Sequence, residues 1–139
     1  MNNSIFIDTS GWIALLFIRD NLHERASYWL NRAKEQQAKM ITSTAVLVEV
    51  LDGLAQQNLR HLSPVLKSAI SYQELRVVDA DSIAFFTAWQ LFEDRPDKKW
   101  GLTDCMSFQM MKEMRIVDVL THDIHFAQAG FRPLLREQP

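Results

Sequence analysis

The chain has 139 residues, of which 47% are hydrophobic and 23% charged, an ordinary composition for a globular protein that can bury a core without disulfides. Its one cysteine, Cys105, excludes an internal disulfide, and the start of the chain has neither the basic segment of a signal peptide nor an apolar stretch long enough to span a membrane. The formal net charge of −2 neither favours nor excludes a nucleic-acid partner. We expect one cytoplasmic domain over residues 1–139, with no membrane partner.

Short apolar runs alternate with longer amphipathic ones, which is typical of an α/β fold with a mainly parallel sheet. The predicted strands are Ser4–Asp8, Met40–Thr42, Glu74–Val78, Ile116–Thr121 and Phe131–Leu134. The predicted helices are Ser10–Ile18 with Ser10 as N-cap, His23–Gln37, a helix capped by Ser43 that runs to about Gln56 or Gln57, Asn58–Tyr72, a helix capped by Asp79 or Asp81 that runs through Phe92, Thr103–Met114 and Ile124–Ala129.

Four acidic residues lie where secondary structure alone does not require them. Asp8 and Asp123 directly follow apolar strands, and ligand sites in parallel sheets lie beyond the carboxyl ends of the strands. Asp104 falls in the first turn of a helix. Glu49 lies at the margin of an apolar helical stripe, where an unpaired carboxylate would carry a large desolvation cost. We expect the four to converge at one edge of the sheet.

Purely structural roles are the alternative for these acids. Asp104 and Asp123 lie where the helix dipole or N-capping favours an acid, and Asp8 could cap the first helix. No lysine or arginine adjoins any of the four in sequence, so carboxylates sharing a cavity would need a cation. Oxygen ligands select Mg²⁺ or Mn²⁺ rather than zinc, and the four histidines have no metal-binding spacing.

Four short strings resemble PIN domains in identity, order and spacing, and the resemblance covers essentially the whole chain. They are Ile-Phe-Ile-Asp-Thr-Ser at 5–10, Val-Glu-Val at 48–50, Leu-Thr-Asp at 102–104 and Thr-His-Asp-Ile-His-Phe at 121–126. The resemblance implies a PIN-like three-layer α/β/α fold and a ribonuclease. Small single-domain bacterial members are commonly VapC-like toxins of toxin–antitoxin pairs. Cys105 is a departure, since many relatives carry a small apolar residue there.

Position by position, the resemblance implies that Asp8, Glu49, Asp104 and Asp123 are the catalytic, metal-binding acids. It also implies that Thr9 or Ser10, and Thr103, are hydroxyl residues that orient them. The site implied by the resemblance therefore consists of Asp8, Thr9, Ser10, Glu49, Thr103, Asp104 and Asp123. The reaction implied is Mg²⁺- or Mn²⁺-dependent hydrolysis of RNA phosphodiester bonds.

The loop before the Asp104 helix is a candidate for substrate contact. Lys98 and Lys99 could pair with phosphates, and Trp100 could stack on an unpaired base. The alternative is a solvated loop with Trp100 packed on the core.

The first helices carry more apolar residues than one narrow stripe requires. These residues are Trp12, Ile13, Leu15, Leu16, Phe17, Trp29 and Leu30. Part of this surplus predicts an exposed patch for a partner helix or a second copy of the chain, with plain core packing as the alternative. We expect a small antitoxin that wraps the surface and presents Arg or Lys near Asp8, Glu49 and Asp104.

Three other functions are weighed against this one. A PIN nuclease of housekeeping RNA processing would share the site but lack an antitoxin. A phospho-receiver domain needs an acidic doublet after its first strand, whereas Asp8 is followed by Thr9 and Ser10. A catalytically silent interaction module would be expected to lack one or more of the site acids.

Overall fold

The computed structural model describes residues 3–138. The strands are β1 (Ser4–Ile7), β2 (Lys39–Ser43), β3 (Leu75–Val78), β4 (Asp118–Leu120) and β5 (Arg132–Pro133). The helices are α1 (Thr9–Leu16), α2 (His23–Glu35), α3 (Thr44–Gln56), α4 (Ser63–Ile70), α5 (Ser82–Asp94), α6 (Leu102–Glu113) and α7 (Ile124–Gln128). No helix in this described part of the chain is long and apolar enough to cross a membrane.

The five strands form one sheet in the order β3-β2-β1-β4-β5, and all four pairings are parallel. The chain moves along the sheet in one direction from β1 to β3 and in the opposite direction from β3 through β4 to β5. Because β-α-β crossovers are right-handed, α1, α2 and α4 cover one face and α5 to α7 cover the other. Helix α3 contacts both α1 and α6. The predicted three-layer α/β fold is confirmed. The order differs from the 2-1-3-4-5 order of receiver domains, so the receiver alternative is wrong.

The core lies on both faces of the sheet. Continuous apolar strands are the reason: Phe6 and Ile7 of β1 have no exposed surface, nor do Val119 and Leu120 of β4. The buried indole N–H of Trp12 has a partner, because Trp12 Nε1 donates to Thr42 Oγ1 at 3.1 Å and Thr42 Oγ1 donates to the Ile7 carbonyl at 2.9 Å. The two hydrogen bonds join α1, β2 and β1 in the interior.

Most predicted elements agree with the structure to within a few residues, and the differences have local causes. The predicted helix Asn58–Tyr72 is a three-residue 3₁₀ turn followed by α4, because Asn58 is left-handed (φ 58°) and Pro64 fits only the first turn of a helix. Ser43 caps α3 as predicted, and Asp81, not Asp79, caps α5. Ser10 is not the N-cap of α1: the helix begins one residue earlier and Asp8 holds that position.

Gly11 allows the first turn of α1 to approach β4 closely. A Cβ atom at this position would clash with the carbonyl oxygen of Leu120, a backbone atom that cannot easily move away. The Asp8 amide donates to that same carbonyl oxygen at 3.2 Å. A residue without a side chain at position 11 therefore keeps the end of β1 and the end of β4 together.

Candidate active site

The carboxyl edge of the sheet gathers the four acids. Ile7 and Leu120 are paired in register on β1 and β4, so Asp8 and the segment after Leu120 leave the sheet side by side. Asp104 reaches the same place from the first turn of α6, and Glu49 from α3. The negative charges of Asp104 and Glu49 both act on Asp8, and the charge of Asp123 acts on Asp104. This is the convergence expected from the positions of the acids in the sequence.

Asp8 is the most deeply buried of the four, with 5% of its surface exposed. It holds the N-cap position of α1, yet its carboxylate makes no side-chain capping bond there; its Oδ2 accepts from Thr121 Oγ1 at 2.9 Å. Burial is the largest cause that raises the pKa of Asp8 to about 7, and the charges of Asp104 and Glu49 raise it further. A role in capping therefore does not explain this residue.

Thr121 is a buried hydroxyl at the centre of the site. Its single proton goes to Asp8 Oδ2, so the 2.9 Å contact with Ser10 Oγ must be a bond in which Ser10 donates. Thr121 Oγ1 also accepts from the Asp123 amide at 3.1 Å, and Ser10 Oγ accepts from the His122 amide at 2.9 Å. This chain of hydrogen bonds fixes the direction of the Asp8 carboxylate. Thr121 lies in one of the strings that resemble PIN domains, but the resemblance implies no role for it.

Asp104 and Asp123 form a second group with His125. The ring Nδ1 of His125 lies 3.1 Å from Asp104 Oδ2 and 3.3 Å from Asp123 Oδ1. Both carboxylates also accept a hydrogen bond from the backbone at the start of a helix. Asp104 Oδ2 accepts from the Gly101 amide at the start of α6, and Asp123 Oδ1 accepts from the His125 amide at the start of α7. Burial is the largest cause that raises the pKa of Asp104, and the charge of Asp123 adds to it. The spacing of the four histidines along the chain gave no indication of this contact.

Glu49 lies at the mouth of the site. The residue is exposed, and its Oε1 accepts from Thr9 Oγ1 at 2.7 Å. The predicted desolvation cost at this position is therefore wrong, because Glu49 reaches the site from the solvent side of α3 and not from its buried stripe. Thr9 therefore contacts a site acid directly, whereas Ser10 reaches Asp8 only through Thr121. For Thr103, no hydrogen bond to a site acid is found among residues 3–138.

Trp100 is not available to an RNA base in this structure. Its surface is 7% exposed, its Nε1 donates to Gln128 Oε1 at 3.1 Å, and the Arg95 guanidinium lies 5.0 Å from the ring centroid. The ring also packs edge-on against Phe108. The alternative of core packing agrees with these contacts, and base stacking by Trp100 does not. Lys98 and Lys99 stay predictions.

The donors at this edge fit a divalent cation. Within residues 3–138 no lysine or arginine forms an ion pair or hydrogen bond with any of the four acids, and the one nitrogen side chain on them is His125. Two of the carboxylates have raised pKa values because burial and mutual repulsion disfavour their charged forms. A bound cation would remove both penalties, and oxygen donors suit Mg²⁺ or Mn²⁺.

Comparisons with known proteins agree with this architecture. The family model described as PIN domain matches residues 5–132. The crystal structure of Mycobacterium tuberculosis VapC20, a Sarcin-Ricin loop cleaving toxin, is similar at a TM-score of 0.80 and 25% identity over 93% of this chain and 97% of that one. The FitAcB structure from Neisseria gonorrhoeae is similar in fold at a TM-score of 0.66 and 19% identity, again over 93% and 97% of the two chains. No curated protein matches the sequence.

Proposed function

This chain belongs to the PIN-domain family, and from that premise we propose that it is a Mg²⁺- or Mn²⁺-dependent endoribonuclease that acts in the cytoplasm as the toxin of a toxin–antitoxin pair. The observation that carries the proposal is the cluster of four acids at one sheet edge, which have no lysine or arginine partner within residues 3–138. The similarity to VapC20, a toxin that cleaves RNA, supports the assignment to this activity.

In this proposal Asp8, Asp104 and Asp123 hold the cation, and Glu49 is the fourth acid that binds it. When bound, the cation would activate a water for attack on a phosphodiester and offset charge on the leaving oxygen. The chain of hydroxyls through Thr121 and Ser10 keeps Asp8 in place. Glu49 is the acid open to solvent, so it is the group that can take a proton from the attacking water and release it.

Purified protein should be tested on single-stranded RNA, on a stem–loop RNA and on single-stranded DNA of the same sequence. The stem–loop is included because VapC20 cleaves a loop RNA. We expect cleavage of at least one RNA that requires Mg²⁺ or Mn²⁺ and stops with a chelator. Cleavage that persists in the chelator, or activity on DNA alone, would contradict the proposal.

A partner helix has a groove to occupy on the face formed by α1, α2 and α4. The groove has a volume of about 360 Å³ and is lined mainly by apolar side chains, among them Leu15, Leu30, Val65 and Ala69. Of the predicted apolar surplus, Trp12 and Leu16 are core, whereas Leu15 and Leu30 are partly open to the groove. A groove of this kind accepts the apolar face of an amphipathic helix.

We therefore propose that a small antitoxin binds this groove and places an arginine or lysine near Asp8, Glu49 and Asp104. Val65→Glu puts a charge on an exposed groove position, and Ile83→Glu is the matched control on α5, away from the groove. Val65→Glu should lose the co-purifying partner and keep RNA cleavage, while Ile83→Glu should keep both. Active, partner-free protein from normally growing host cells would favour a housekeeping nuclease instead.

A second copy of the chain is the other partner proposed, and α5 offers the surface. Ile83, Phe86, Trp89 and Phe92 are each 46% exposed or more, and the Phe86 and Trp89 rings are stacked on each other. Several large apolar side chains exposed together on one helix are typical of an interface. Light scattering should report a homodimer that Ile83→Glu converts to monomer and Val65→Glu does not. A wild-type monomer at all concentrations would contradict it.

A further inference from the structure

His125 lies in the acid cluster without a role in the function proposed above. Its ring nitrogen Nδ1 is within hydrogen-bond distance of Asp104 Oδ2 and close to Asp123 Oδ1, at 3.1 and 3.3 Å. Ligand atoms of these three residues all lie within 4.8 Å of one another. The side chain is 25% exposed, and no hydrogen bond of Nε2 is found among residues 3–138. Nε2 is therefore open to carry the ring proton when an ion takes the place of the hydrogen bond from Nδ1 to Asp104.

The distances around Nδ1 match those between neighbouring ligands of one ion. Two adjacent ligands of an octahedral ion with bonds of about 2.1 Å lie about 3 Å apart. The two separations from Nδ1 are within a few tenths of an ångström of that value, and the ligand atoms of all three residues lie within 4.8 Å of one another. An ion bound between Nδ1 and either carboxylate oxygen would therefore need only small shifts of these two side chains.

The three groups are also held in place before any ion binds. Asp123 Oδ1 accepts from the His125 amide at 2.9 Å, which fixes the acid to the helix that carries the ring. Asp104 Oδ2 accepts from the Gly101 amide at 3.0 Å. Phe126, the next residue after His125, has no exposed surface and anchors α7 in the core. A ligand set fixed in this way loses little entropy when it binds an ion.

We propose that His125 is a nitrogen ligand of the divalent ion held by Asp104 and Asp123, which makes this side of the site selective for Mn²⁺ over Mg²⁺. The inference rests on the proposed metal-dependent function. Imidazole nitrogen suits transition metals, whereas Mg²⁺ is bound almost entirely by oxygen. The competing role is that of a counterion, in which a charged His125 occupies the place of the metal. The two roles predict opposite effects of removing the ring, since loss of a ligand weakens metal binding and loss of a counterion strengthens it.

Calorimetric titration of the metal-free protein with MnCl₂ and, separately, MgCl₂ distinguishes the ligand role of His125 from the counterion role. The variants are His125→Ala and the control His122→Ala, a nearby exposed histidine whose backbone alone makes the described contacts. We expect His125→Ala to weaken Mn²⁺ binding by about tenfold or more and Mg²⁺ binding much less. His122→Ala should change neither. Unchanged or tighter Mn²⁺ binding in His125→Ala would overturn the proposal.

Pulsed electron paramagnetic resonance of Mn²⁺ bound to the wild type gives a second readout that needs no variant to fold. A ¹⁴N coupling from a directly bound imidazole is expected, and its absence would overturn the assignment. If the wild type binds neither ion, the proposed metal-dependent function fails together with this inference. If it binds both ions and His125→Ala binds them equally well, only the role of His125 fails.

Discussion

One aspartate lies at the amino end of strand β4 and another lies just beyond its carboxyl end. The surroundings of these two aspartates differ. At the amino end, Asp118 Oδ1 is 3.5 Å from Arg132 Nη1, and Arg132 also pairs with Glu137 at 2.7 Å. Beyond the carboxyl end, Asp123 meets a histidine and the charge of a second acid, Asp104. The same residue type is thus neutralised by an arginine at one edge of the sheet and left among other acids at the opposite edge.

A cavity by itself does not identify the functional edge of the sheet. A cavity of about 390 Å³ lies at the amino edge, where Arg32, Asp118 and Arg132 are among its lining residues. The difference lies in the partners of the acids: surface pairs with arginine contribute little and are common, whereas buried carboxylates that repel one another need a cation. What an acid contacts is therefore a better guide to function here than where a hollow lies.

The sharpest test of this comparison exchanges charge for a neutral amide at each edge. Asp8→Asn and Asp104→Asn keep side-chain volume but remove negative charge from the site, so RNA cleavage should fall by orders of magnitude while folding persists. Asp118→Asn is the matched control and should cleave like the wild type. Initial rates with Mg²⁺ or Mn²⁺ measure the effect. Near wild-type activity in Asp8→Asn would mean that this acid is not a ligand.

Removal of the hydroxyl that orients Asp8 should have a smaller effect. Thr121→Val keeps the shape but leaves Asp8 Oδ2 without its donor, and we expect a 10–100-fold loss of metal affinity or activity, roughly that seen when groups behind metal ligands are removed. Thr121→Ser restores the hydroxyl and should restore most of the loss. Calorimetry and cleavage rates measure it. Equal behaviour of the valine and serine variants would assign the effect to packing.

The acids at the two edges should also differ in how they make the free energy of unfolding depend on pH. Because the pKa of Asp8 rises from 3.8 to about 7 on folding, the folded metal-free protein holds a proton that the unfolded chain releases. The free energy of unfolding should therefore fall as pH rises from about 4 to about 7, by at most about 1.4 kcal/mol per pH unit. Urea unfolding of the wild type and Asp8→Asn isolates this contribution, which should be absent in Asp8→Asn and present in Asp118→Asn. Equal pH profiles of the wild type and Asp8→Asn would contradict the raised pKa.

The smallest expected effect concerns how α1 reaches the carboxyl edge. Gly11→Ala introduces a clash with the Leu120 carbonyl and should cost about 1–3 kcal/mol of stability, as overpacking does. Gly53→Ala is the control within α3, where a Cβ meets nothing within 4 Å, and it should stabilise by about 0.5–1 kcal/mol. Urea unfolding measures both. The same sign for the two variants would contradict the close approach of α1 to β4.

Much of the fold and part of the site could be predicted from the sequence. Apolar runs and amphipathic periods depend on neighbouring residues, so the parallel sheet and most helices follow from them. Asp8 and Asp123 were expected at the carboxyl edge because each follows a strand. Glu49 was expected there for the wrong reason, since its carboxylate is exposed and bonded to Thr9 instead of being buried.

By itself, the sequence determined the elements, the edge at which the acids gather and the absence of adjacent basic residues. Only the tertiary structure decided which side chains from distant parts of the chain meet the acids. Thr121 reaches Asp8 across 113 positions of the chain, and His125 reaches Asp104 across 21, so no local pattern reports either contact. The packing of Trp100 against Phe108 and Gln128 is likewise a contact between α6, α7 and a loop. Hydrogen bonds and charges act over a few ångströms in space, and the fold sets those distances independently of spacing along the chain.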